Sequence, residues 1–127
     1  MDITPLIREN QQVINSYSDG SFKVRNVSYN YPIIVTPDKT WRWNIDSITD
    51  ISKLEARHFT DLIEQSQEID IVLLGCGADM SFLPAELRLN FKNAGLSVDI
   101  MNTGAACRTY NVLMAEGRRL ACALLPI

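Results

Sequence analysis

Three strand-length apolar runs alternate with stretches of helical periodicity in the second half of this chain, and that alternation limits the fold more than any other feature. The runs are "IDIVLLGC" (69–76), "LSVDIM" (96–101) and "RRLACALLP" (118–126). The first and last are apolar at successive positions, as strands covered on both faces require. In the middle run Leu96, Val98 and Ile100 alternate with Ser97, Asp99 and Met101, which leaves one face less apolar. Leu87, Phe91 and Ala94 form the inner stripe of a helix between the first two runs, with Pro84 at its first position and Gly95 as its left-handed C-terminal cap. "MNTGAACRTYNVLMAEG" (101–117) supplies another helix, ended by Gly117. Ser52 and Glu55 have the spacing of a capping box, so a helix is also predicted from residue 52, with Ala56, Phe59, Leu62 and Ile63 as its apolar stripe. Strands alternating with helices imply a parallel or mixed sheet covered by helices.

The first forty-five residues have a different period. "QQVINSY" and "FKVRNVSY" flank "SDGS", and an Asp-Gly pair between alternating segments predicts a hairpin whose second arm buries Phe22 and Val24 and wets Lys23 and Arg25. "YNYPIIVTP" reads as a third strand, with Pro32 at its edge or start and a turn at Pro37-Asp38. In "TWRWNI", Trp41, Trp43 and Ile45 alternate with Arg42 and Asn44, which predicts a short extended piece with its indoles on one side. These segments are expected to form an extra layer or an extension of the α/β part.

At 127 residues the chain is expected to form one domain, 1–127, with residues 1–10 a candidate loosely ordered N-terminal segment. The net charge of −3, with no Lys/Arg run to offset it, argues against a nucleic-acid partner. No apolar run reaches the roughly 18–20 residues that span a bilayer, so no transmembrane segment is expected. "MDITPLIREN" lacks the marks of a signal or transit peptide, and Cys76, Cys107 and Cys122 are odd in number and lie in or beside apolar segments. A cytoplasmic location with free thiols follows as the expectation. Oligomeric state is not specified, although exposed edges among the N-terminal strands leave a dimer open.

Two segments should reach the carboxyl edge of such a sheet, where ligands of open α/β sheets sit: residues 75–82 and 102–111. Gly75-Cys76-Gly77 fails as a dinucleotide fingerprint, because residue 80 is Met and the helix opens only near Pro84; it reads as a sharp exit from a buried strand. Asp79 could ligate a cation, but no cluster of ligand-spaced residues accompanies it, so no metal and no cofactor are predicted. In the second segment Asn102 or Thr103 can cap the helix, and Gly104 and Ala105 leave its first amides uncovered, which favours an anion. Two readings stay open for Arg108, a cation near the positive end of a helix. Either it serves an acidic partner (Asp99, Asp79, another protein's carboxylate or a small anion), or it is solvated. Cys107, Tyr110 and Met114 share one helix face, the spacing of core packing; a nucleophilic Cys107 stays open as the alternative, without a base to pair with it. His58 reads as a helix-surface residue. Asn111 reads as structural, bonding backbone within its helix or across to the 75–82 loop. No complete catalytic constellation is present, so the residues lean against an enzyme without deciding it.

"TGAACRTYNVLMAEGRRLACALLPI", preceded by "LLGCG" and "LPAELRLNFKNAGLSVDIM", resembles the Mth938-like domain family, over roughly residues 10–127. The resemblance implies a three-layer α/β fold, with a mixed central sheet covered by helices and a smaller N-terminal β-sheet. It also implies a role rather than a reaction: a non-enzymatic module with a protein partner in the assembly of a respiratory membrane complex, complex I. A small-anion or metabolite site, or a cryptic enzyme, at the 75–82 and 102–111 rim is the alternative expectation.

Overall fold

The computed structural model describes residues 1–3 and 10–127. Strands β1 (Ile14–Ser18) and β2 (Ser21–Val24) pair antiparallel around Asp19 and Gly20, whose φ angles of 51° and 75° make the two-residue turn that suits a right-handed strand twist. "FKVRNVSY" is not one arm, as the sequence suggested, but two strands. A second turn at Arg25 and Asn26, with φ of 48° and 65°, folds β3 (Val27–Tyr29) back onto β2. The Asn15 side chain accepts the Asn26 N–H at 2.7 Å and the Val13 carbonyl accepts that of Arg25 at 2.8 Å, which holds this turn without a glycine.

β4 (Ile33–Val35) and β5 (Thr40–Arg42) follow as an antiparallel pair joined through Pro37 and Asp38. Trp43 and Ile45 are buried, with Trp41 packed beside them, while Arg42 and Asn44 are exposed, as the alternation required. The helix expected from residue 52 is broken into two 3-10 turns, Ile51–Lys53 and Ala56–Phe59, and a short helix α1 (Thr60–Glu64). Asp50, not Ser52, is the first cap: its carboxylate accepts the Ser52 N–H at 2.9 Å. Glu55 and His58 then form a capping box at the second turn. Ile51 and Leu54 are both drawn into the core and the Trp43 indole donates to the His58 carbonyl at 2.8 Å, a set of anchors that a straight helix would not meet.

The remainder is β6 (Ile71–Gly75), α2 (Ala85–Asn93), β7 (Ser97–Met101), α3 (Thr103–Ala115) and β8 (Leu120–Leu124). Pro84 sits one residue before α2, as its cap. The five-stranded sheet has the order β5-β4-β8-β6-β7; β6 is parallel to both neighbours, and β4 is antiparallel to β8. The chain moves from β6 outward to β7 and then back past β6 to β8. Right-handed crossovers in opposite directions put their helices on opposite faces.

Two cores result. Val72, Leu74, Ala121 and Ala123 meet Leu87 and Phe91 of α2 and Phe59 and Leu62. On the other face Leu73, Cys122 and Leu124 meet Ala106, Cys107, Tyr110 and Met114 of α3, together with Ile14, Phe22 and Val24 of the small sheet. The molecule is therefore three layers: α1 and α2, the mixed sheet, and α3 with the three-stranded sheet. Residues 1–3 run beside β1, with the Ile3 N–H bonded to the Asn15 carbonyl at 2.9 Å. The loosely ordered segment expected over residues 1–10 lies, for residues 4–9, outside the described residues.

Candidate functional site

β6 and β7 end at the same sheet edge, so the loops that follow them meet there. The Cys76 N–H donates to the Met101 carbonyl at 2.9 Å, and the Leu125 N–H donates to the Gly75 carbonyl at 3.0 Å. Thr103, fully buried, ties the edge together. Its hydroxyl accepts the Gly77 N–H at 2.9 Å and donates to the Leu125 carbonyl at 2.6 Å, while its own N–H bonds the Gly77 carbonyl at 2.9 Å. Gly75 is required by this crowding: a Cβ there would lie 2.7 Å from Leu124 Cδ2 and 3.1 Å from Thr103 Cα.

The start of α3 is more occupied than its small residues suggest. The Asn102 side chain accepts the Ala105 N–H at 2.8 Å, and the Asn102 carbonyl accepts that of Ala106 at 2.9 Å. Over Gly104 lies the ring of Tyr17, so close that a Cβ would stand 2.8 Å from its hydroxyl. Arg108 Nη1 donates to that hydroxyl at 2.6 Å, and the hydroxyl donates to Met1 Sδ at 3.4 Å. Neither Asp79 nor Asp99 is the partner of Arg108, which corrects both intramolecular acids considered for it; among the described residues it forms no ion pair.

The inner face of α3 points away from the rim. Cys107 is fully buried, and burial, opposed only by the nearby Arg108 charge, pushes its thiol up to about 12. Its burial is what the core-packing reading of this helix face requires. Tyr110 is buried too; its hydroxyl donates to the Gln12 carbonyl at 2.7 Å, and burial raises its pKa. Asn111 does not reach the 75–82 loop. Its Oδ1 accepts the Ile14 N–H at 3.0 Å and its Nδ2 donates to the Ile14 carbonyl at 2.9 Å, so both backbone groups of one β1 residue are satisfied by one side chain. His58 is buried rather than on a helix surface. Its Nδ1 accepts the Glu55 N–H at 2.9 Å, and its Nε2 has no partner among the described residues.

The candidate residues thus separate into three groups. Gly75, Cys76, Gly77, Asp79 and Thr103 are linked at the sheet edge, Gly104 and Arg108 meet Tyr17 instead, with Ala105 bonded to Asn102, and Cys107, Tyr110 and Asn111 hold α3 to the sheet and to β1. Sequence reasoning missed Tyr17, which has no local signal tying it to Gly104. It also missed Met80 and Phe82, exposed at 65% and 67% on the loop beyond Asp79. A cleft of about 320 Å³ between α1 and α2, floored by Phe59, Ile63, Leu87 and Phe91, lies on the opposite layer. Among the described residues no group of three His, Cys, Asp or Glu is placed to hold a metal, and no helix is long and apolar enough to cross a membrane.

A family model described as a protein of unknown function (DUF498/DUF598) matches residues 14–125. The chain is similar to the NADH dehydrogenase (ubiquinone) 1 alpha subcomplex assembly factor 3 of Danio rerio, 36% identical over 114 residues, or 90% of this chain and 64% of that protein. The chain therefore spans less than two thirds of that relative's length. Among solved structures, an outer membrane protein from Bartonella henselae superimposes with a TM-score of 0.83 at 31% identity, covering 92% of this chain and 96% of that one. A Mth938-like domain from Bordetella pertussis shares the fold, with a TM-score of 0.79 at 24% identity over 99% of this chain and 92% of that one.

Proposed function

The chain belongs to the DUF498/DUF598 family, and on that premise we propose that it is a non-enzymatic interaction module that assists the assembly of a respiratory NADH dehydrogenase. It works in the cytoplasm, through protein partners. The observation that carries this reading is the 36% identity, over 90% of the chain, to a protein named as an assembly factor for that enzyme. The rim chemistry supports it. Thr103, Asn102 and Tyr17 are engaged in joining loops to one another, and the Cys107 thiol is sealed inside. Deleting the gene in its native host tests the role: native gels of the membranes should show less fully assembled NADH dehydrogenase and more subassemblies, reversed when the gene is restored. An unchanged amount of assembled enzyme would sink the reading.

A second reading, a small-anion or metabolite seat at the rim, has one observation in its favour: Arg108 is exposed and forms no ion pair among the described residues. Thermal-shift titration with phosphate and dicarboxylates checks it. A shift that is lost in Arg108→Ala is the expected outcome, and stabilisation that survives in the variant removes Arg108 from the seat.

A further inference from the structure

Residues 80–83 alternate in burial as a strand does, yet among the described residues no neighbouring strand pairs with them. Ser81 is half-buried, its hydroxyl donating at the surface to Asp50 Oδ1 at 2.9 Å, and Leu83 is only 3% exposed in the core beside α2. Met80 and Phe82 consequently share the outward face, at 65% and 67% exposure. The segment is pinned at Ser81 and Leu83, so the two apolar side chains are presented in place rather than on a free tether, which reduces the ordering cost of binding. Among the described residues, no backbone group of residues 80–82 is hydrogen-bonded within the chain.

Two carboxylates flank this pair. Asp79 precedes Met80, and Asp50 is exposed beside Ser81; neither forms an ion pair among the described residues, although the Lys53 charge acts on Asp50. Hydrogen bonds from Ser52 and Ser81 hold the Asp50 carboxyl below the usual carboxylate range, so it is charged at neutral pH. Covering Met80 and Phe82 with a wholly apolar surface would draw water from these charges without replacing it, which is unfavourable. An anionic lipid surface or a nucleic acid would meet like charge, in a chain whose net charge is already −3. Only an apolar cleft that carries cations at its lip satisfies both kinds of group.

We propose that Met80 and Phe82, flanked by Asp79 and Asp50, form the docking surface for a protein whose apolar cleft is lipped with lysine or arginine. This rests on the interaction-module reading and adds to it the surface used and the chemistry of the partner. The test places the photo-crosslinking residue benzoylphenylalanine at position 82 and, in a separate variant, at position 112, where Val112 is 57% exposed on α3. Both full-length variants are made in the native cells, and the crosslinked peptides are sequenced by mass spectrometry. Position 82 should capture one protein, at a peptide with Lys or Arg beside apolar residues. Asp79→Lys, a change to an exposed side chain, should lower the yield roughly tenfold, and so should added salt. The proposal is overturned if position 82 captures only lipid or another copy of this chain, or if the yield ignores Asp79→Lys. It is likewise overturned if the chain floats with phosphatidylglycerol vesicles and Phe82→Ser abolishes flotation. A partner captured at 112 and none at 82, or capture at neither position, defeats this surface while leaving the interaction-module reading to the deletion experiment.

Discussion

Thr103 Oγ1 accepts a hydrogen bond from Gly77 and donates one to Leu125, so a single buried hydroxyl joins two loops and the C-terminal tail. Thr103→Val keeps the shape and leaves a backbone N–H and a carbonyl without partners; urea unfolding should record a loss of roughly 2–4 kcal/mol, and Thr103→Ser should recover most of it. Cys107 makes a different kind of prediction. Its pKa is raised by folding, from 9.0 to about 12. A raised folded-state pKa means that the buried thiol's stabilisation is whole below about pH 9 and is lost as pH climbs toward 12, because the unfolded chain releases the proton first. Urea midpoints should therefore fall between pH 9 and 10.5, and fall less steeply in Cys107→Ala. Thiol labelling of the native protein over the same range should follow unfolding rather than thiolate formation.

Asn111 is the side chain through which one element holds another. It lies on α3, yet both of its bonded backbone groups belong to Ile14 of β1, where the register with β2 is irregular between Ile14 and Ser16. At that irregularity the helix side chain bonds both backbone groups of Ile14. Asn111→Leu should cost roughly 2–4 kcal/mol and loosen the small sheet first. Hydrogen exchange should then rise in β1, β2 and β3 while β6 and β8 keep their protection. Equal loss of protection in both sheets would mean that Asn111 supports the whole fold and not this junction. The 52–64 segment shows how neighbours override local pattern. Its capping spacing and apolar stripe are those of a helix, but anchors at Ile51, Leu54 and the His58 carbonyl lie in directions that one straight helix cannot serve.

The two cores lie on opposite faces of one sheet and share β4, β6 and β8, whose successive side chains enter them alternately: Ile34 in one, Ile33 and Val35 in the other. Neither core survives the loss of that sheet. Equilibrium unfolding should accordingly be a single transition. Fluorescence of Trp41 and Trp43, which belong with the α2-side core, should coincide with a probe on the three-stranded sheet, and the two curves should separate in Asn111→Leu. Non-coincident curves in the unaltered chain would show that the small sheet is an independent unit.

The legible parts of this protein are those whose causes are local. Asp19 and Gly20 specify their turn by φ preference, and the unbroken run from Ile71 to Leu74 announces a strand with both faces covered, because side chains alternate whichever partners lie beside them. The chain order of strands and helices then restricts the sheet to a parallel or mixed one, and the candidate rim follows from where β6 and β7 end. The contacts by which α3 meets the N-terminal segments were invisible. Arg108 meets Tyr17 across 91 residues, Asn111 meets Ile14 across 97, and Tyr110 meets Gln12 across 98. Residue type and periodicity tell which face a side chain occupies, not which distant residue arrives there. Local sterics and burial patterns determined the elements and their order; only tertiary packing decided that the Tyr17 ring lies against Gly104, because that outcome depends on how two sheets and a helix settle together.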